Sequence, residues 1–137
     1  MLFNDRYAAQ AQGLLRIITA LLFIEHGTSK LFNFPVFPMP DLPPVGSIYW
    51  IGALLEAIGG VMVLLGILTR PVAFLLSGEM VVAYWMAHAP QSTFPANNGG
   101  DAAILFCFVF LFLAAAGPGA FALGERKPVV RTDDELA

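Results

Sequence analysis

The sequence predicts an all-α fold, an integral membrane four-helix bundle with both termini on the inner side (N-in/C-in). Three observations carry that reading. Of 137 residues, 58% are hydrophobic and 12% charged, and the mean hydropathy of +0.73 is too high for a soluble domain of this size. Four apolar stretches, at about 8–32, 48–68, 71–89 and 101–116, approach the roughly 20 residues that cross a bilayer's hydrocarbon. With the N-terminus inside, Arg6, Arg70, Arg126, Lys127 and Arg131 fall on the inner side and only Lys30 on the outer, the bias expected of an inner-membrane, multi-pass chain.

Composition also excludes function classes. The net charge of −3 is spread out and contains no basic stretch, so nucleic acid is not a partner. Cys107 is the single cysteine, which rules out an internal disulfide, a CxxC redox site and a zinc knuckle. Any electron carrier must therefore be borrowed.

Arg6 and the apolar run from Gly13 to Ile24 imitate a signal peptide. No cleavage site follows, and the run continues into Glu25-His26-Gly27, so it is expected to remain as the first span. At 100° per residue Gln12, Arg16, Thr19, Phe23, His26 and Lys30 share one broad face, which must point into protein. Glu25 falls almost opposite Arg16 and is expected at headgroup level. Residues 33–47 hold five prolines yet are unusually apolar, which suits an extended cap over the bundle mouth.

The second span, 48–68, carries Glu56 between Gly52 and the pair Gly59-Gly60. Thr69-Arg70-Pro71 is a very short turn, making the third span, Pro71 to Ala89, an antiparallel neighbour; Glu79 lies near its middle and His88 at its end. Tyr49-Trp50 and Tyr84-Trp85 suit an aromatic belt. A polar loop at 90–100 leads to Asp101, which opens the last span with an acid in its first turn. Gly117-Pro118-Gly119 ends that helix, and the charged tail 125–137 is expected to be disordered. No internal repeat is found, and the chain reads as a single domain.

Two constellations could carry chemistry. Counted from the inner surface, Arg16 and Glu79 lie about 12 Å deep and Glu56 about 18 Å, so the arginine fork is expected to meet a carboxylate in a buried polar core. One reading is a structural ion pair that fixes helix register. The other is charge arithmetic: unless Lys30, a ligand or a metal adds positive charge, one arginine leaves one of the two glutamates to hold a proton, available for proton-linked or ligand-binding work. Glu56, flanked by small residues, is the stronger candidate.

The second constellation, His26, Lys30, His88, Asn98 and Asp101, with Glu25 and Asn97, converges at the outer face. It is either a polar rim with helix caps or a binding site for a polar head such as a quinone carbonyl or a small anion. A metal site is not expected: two histidines without HxxxH or ExxH spacing specify little. The small residues of GALLEAIGG serve close helix packing in either case.

In HGTSKLF (26–32), ALLEAIGGVMVLLGILTR (53–70), the segment 88–95, NNGGDAAILF (97–106) and GPG (117–119), the chain resembles the DoxX family of small four-span bacterial membrane proteins. The resemblance covers nearly the whole span region. It points to Gly27, Lys30, Glu56, Gly59, Gly60, Gly66, Arg70, Asn98, Gly99, Gly100 and Gly117 to Gly119. Asp101 stands where the family more usually has Glu, and Gly124 where an Asp usually closes the GPG segment. The resemblance implies a redox setting: an accessory or quinone-interacting subunit of a membrane oxidoreductase, at most a non-autonomous part of that enzyme, with the bilayer and another redox protein or subunit as partners and no cofactor within the chain except a borrowed quinone. A homo-oligomer is compatible with it. The alternatives are a proton-coupled carrier or binder of a small lipophilic molecule, and a structural assembly factor.

Overall fold

The computed structural model describes residues 7–124, which contain helices and no strand. The elements are α1 (Ala8–Phe32), α2 (Ile48–Leu65), α3 (Thr69–Ala83) continuing into a π turn (Tyr84–His88), a short α4 (Pro95–Asn98) and α5 (Asp101–Ala116). Two helices, α1 and α2, are long and apolar enough to cross a membrane, and α5 is a shorter apolar helix. The expected tail at 125–137, and the charges Arg6, Arg126, Lys127 and Arg131, lie outside the described residues.

Helix α1 packs chiefly on α2 and α3 on α5, with a smaller α2–α3 interface joining the two pairs. Of the face anticipated for α1, Arg16, Thr19 and Phe23 are buried, Gln12 and Lys30 are half-buried and His26 is exposed. At mid-height Phe23 meets Phe106 and Phe110 edge-on at centroid separations of 5.2 and 4.7 Å, over a core completed by Val63, Leu76 and Leu113. The α1–α2 approach depends on Gly27: a Cβ there would lie 2.6 Å from Ala57 N and 2.8 Å from Ala53 O, so any side chain would push the helix backbones apart.

Helix α2 stops at Leu65, three residues short of the expected 68. Gly66 takes the left-handed conformation at φ 72°, which glycine adopts without steric penalty, and its N–H closes on the preceding turn. The loop at 90–100 contains α4, unforeseen from sequence, begun by Pro95 at its first position.

The largest departure from expectation concerns Arg16. It is fully buried, and it meets no carboxylate. Its Nε donates to Pro118 O (2.8 Å), Nη1 to Val63 O (2.8 Å) and Leu64 O, and Nη2 to Ala120 O (3.1 Å) and Phe121 O (3.0 Å). All five guanidinium N–H groups thus end on backbone carbonyls. The carbonyls at the α2 terminus carry the negative end of the helix dipole, and Val63 O accepts only from the capping Gly66 N–H besides, so a cation suits them. Arg70, expected only to mark a membrane face, does the same for α5 by donating to Ala114, Ala115 and Ala116.

The segment after α5 folds back across this end of the bundle. Ala120 N donates to Ala9 O, Leu123 N to Leu65 O and Gly124 N to Gly66 O, while Gln12 Nε2 donates to Gly117 O at 2.7 Å. Gly124 has a spatial reason: a Cβ there would sit 2.8 Å from Gly66 O and 2.9 Å from Ile67 Cα, leaving no room for a side chain in this packing.

Replacing Arg16 by Met would strand several buried carbonyls at about 1–3 kcal/mol each, less than additively. The expected outcome is loss of at least about 3 kcal/mol of stability, read as a lowered midpoint in denaturation followed by circular dichroism in detergent. Glu79→Leu should change stability by the same amount in Arg16→Met as in the parent, because the two side chains are not partners.

Candidate functional site

Gly27 lets α1 settle onto Ala53 and Ala57, and Glu56 lies between those two alanines on α2. Three residues after Gly27, Lys30 comes within reach of Glu56. Its Nζ donates to Oε1 at 2.6 Å and Oε2 at 2.8 Å, with the lysine side chain 24% exposed and the glutamate 4%. This is the ion pair expected of a buried acid, with Lys30 in the place assigned to Arg16. The buried polar core expected as Arg16, Glu56 and Glu79 is therefore regrouped as Lys30, Glu56 and Glu79, and Arg16 belongs to the opposite end.

Glu79, on α3, faces α2 at Gly52, where an added Cβ would come within 3.2 Å of Oε1. Its Oε2 is buried and has no hydrogen-bond partner among the described residues. The carboxyl feels the charges of both Glu56 and Lys30. With both oxygens of Glu56 held by Lys30, the ammonium keeps one N–H free and Glu79 has no cation of its own.

These three side chains line a cavity of about 850 Å³ whose walls are otherwise largely apolar, with Phe23, Leu55, Met80 and Phe106 among them. Pro35, Phe37, Pro38 and Met39 of the proline-rich segment lie against it, as the cap reading anticipated. The lining also includes Ile51 of α2 and Phe74, Leu75 and Val82 of α3, which are 48–68% exposed. The cavity wall thus reaches exposed apolar side chains of both helices.

The outer-face residues divide. His26 and His88 line the cavity with Lys30, whereas Asn98 and Asp101 do not. His26 Nδ1 lies 2.8 Å from Leu22 O and His88 Nδ1 3.0 Å from Asn98 O. A carbonyl only accepts, so Nδ1 carries a proton in both rings, and the Nε2 of a neutral ring is then an acceptor. The π turn completes the placement of His88, with Ala89 N bonded to Tyr84 O and the rings of Tyr84 and His88 stacked.

Asn98 is buried and braces the loop: its amide donates to Ser92 O (2.9 Å) and Tyr84 OH (3.4 Å), and its oxygen accepts from Gly100 N (2.8 Å). Asp101 is exposed in the first turn of α5, where it suits the helix dipole. Glu25, expected with the outer-face group, is exposed and lines the cavity, whereas sequence reasoning missed the role of Gly52, which makes space for Glu79. Gly52 stands four residues before Glu56, one helical turn away, and that spacing was the available signal. Among the described residues no group of three or more histidine, cysteine or acidic side chains is arranged to hold a metal.

Two of the helices that border this charged, otherwise apolar cavity, α1 and α2, are long and apolar enough to cross a membrane. The chain belongs to the DoxX family, whose profile matches residues 11–89. It is 35% identical over 126 residues to a protein of Haemophilus influenzae described as uncharacterized, covering 89% of this chain and 94% of that one. No solved structure matches.

The Lys30–Glu56 pair gives a direct test. Lys30→Met leaves a buried carboxylate without its partner and should cost about 3–5 kcal/mol, whereas Lys30→Met with Glu56→Leu should recover most of that loss. A double-mutant cycle of denaturation midpoints in detergent would measure the coupling.

Proposed function

We propose that this DoxX-family protein is a multi-pass inner-membrane protein whose cavity binds the polar head of a small lipophilic molecule, with a quinone as the first candidate. In this reading it serves as an accessory or quinone-interacting subunit of a membrane oxidoreductase system. The carrying observation is the Lys30–Glu56–Glu79 cluster in a largely apolar cavity whose lining includes exposed apolar side chains of α2 and α3. A site for a hydrophilic metabolite would open to water and present more donors. An amphipathic molecule fits both halves of this lining.

Four-span topology is part of the proposal. Helix α3 and its π turn run from Thr69 to His88, about 30 Å of helix and enough to cross the hydrocarbon. Helix α5 is shorter, about 24 Å, and flanking residues with local thinning of the bilayer would cover the difference. An N-in/C-in orientation puts the Arg16 and Arg70 end inside and the cavity in the outer half.

The free N–H of Lys30 suits a carbonyl oxygen of the ligand, and the Nε2 atoms of His26 and His88 suit a hydroxyl near the mouth. Apolar walls would hold the ring and tail. The chain's own residues bind and orient the head and exclude water; the electrons come from a partner.

The purified protein in nanodiscs should bind a short-chain benzoquinone saturably, read by quenching of its Trp50 and Trp85 fluorescence. Lys30→Met should weaken that binding by about tenfold or more through loss of a charge-assisted hydrogen bond. Equal affinity in a folded Lys30→Met variant would refute the assigned head-group contact.

A further inference from the structure

We infer that Glu79 is a ligand-contact carboxylate that receives a lipophilic organic monocation in exchange for a proton. The inference rests on the cavity being a ligand site, and it names a substrate class that the quinone reading does not include.

The argument is a charge count. The ionisable groups lining the cavity around Glu79 are Glu25, His26 and Lys30 from α1, Glu56 and the phenol of Tyr49 from α2, and His88 from the π turn beyond its own helix. Helix α5 brings none, since its acid, Asp101, is exposed and does not line the cavity. The Lys30 ammonium donates to both oxygens of Glu56. Glu79 is left without a paired cation, with Oε2 buried and unpartnered.

An ionised carboxyl in apolar surroundings needs a positive charge beside it, either a proton on the carboxyl or a cation in the cavity. The two are alternatives at one site. When the cation enters, the O–H bond of Glu79 breaks and the proton leaves to water; no bond to the ligand forms and no electrons move. One positive charge enters and one leaves.

The surroundings fit such a guest. A volume of about 850 Å³ lies within the range of small-molecule sites. Tyr49, Phe74 and Phe106 supply aromatic faces or edges to the lining, and aromatic faces favour organic cations. Gly52 leaves the space in front of Glu79 Oε1 clear of a side chain. Three carboxyl groups against one ammonium disfavour an organic anion.

The test uses the full chain in nanodiscs with tetraphenylphosphonium as the cation and triphenylphosphine oxide as a neutral probe of related shape. The expected result is saturable cation binding that releases about one proton per cation into weakly buffered solution and weakens as pH falls. Glu79→Gln should abolish the release and weaken cation binding by at least about tenfold, while Glu79→Asp, which keeps a carboxyl, should retain the release. If Glu79→Gln does not fold, proton release by the wild type and by Glu79→Asp decides: its absence in both overturns the inference. Cation binding without proton release, or undiminished in folded Glu79→Gln, also overturns it. Binding of the neutral probe alone would overturn the cation exchange and leave the lipophile-binding reading standing; binding of neither probe would sink both.

Discussion

A guanidinium buried in an apolar bundle needs an acceptor for every N–H, and this requirement organises one whole end of the molecule. Arg16 meets it with five backbone carbonyls from two separate segments, the end of α2 and residues 118–121. A carboxylate would have satisfied two of those donors in a bidentate pair and left the others to find partners. The early stop of α2, the return of the chain after α5 and the tight seat of Gly124 all bring carbonyls to that one side chain. Arg70 repeats the device on α5 at lower burial. Helix termini that would otherwise expose carbonyls to lipid are thereby closed.

With Arg16 committed there, the other end must balance its own charges, and it does so incompletely. Lys30 neutralises Glu56, and nothing in the described chain neutralises Glu79. Phe23, Phe106 and Phe110 pack between the two ends. The Arg16 end is therefore nearly satisfied and structural, with the Thr69 hydroxyl buried and unpartnered there, while the cavity end keeps an unsatisfied acid, a free ammonium N–H and two imidazole Nε2 atoms. Binding energy is available where hydrogen bonds are left unmade.

Much of the architecture was legible in the sequence because hydropathy and helix punctuation are local signals. The bounds of α1 and α5 follow from them, and so do the apolar cap at 33–47 and the inward face carrying Arg16 and Phe23. The partner of each buried charge was not legible, because it depends on which surface depth is counted from. Measured from the inner side, Arg16 appeared level with the glutamates. Measured from the outer side, Glu56 is eight residues into α2, about 12 Å, and the long stem of Lys30 spans much of that depth. The backbone carbonyls that Arg16 uses have no residue-type signature at all. The division of the outer-face group, with His26, Lys30 and His88 on the cavity and Asn98 bracing a loop, likewise required the π turn and α4 to be placed.

The exposed apolar side chains that α2 and α3 give to the cavity lining have a further consequence. Ile51, Phe74, Leu75 and Val82 border the cavity and are exposed, so in the proposed bilayer placement a guest would enter past them from the hydrocarbon layer more than from water. A guest would first dissolve in the bilayer and then diffuse laterally to the protein. Its partition coefficient would set the local dose, and the site itself would need only modest affinity. Two guests with identical contacts but different tail lengths would then occupy it to different extents, selected by the solvent before they reach the protein.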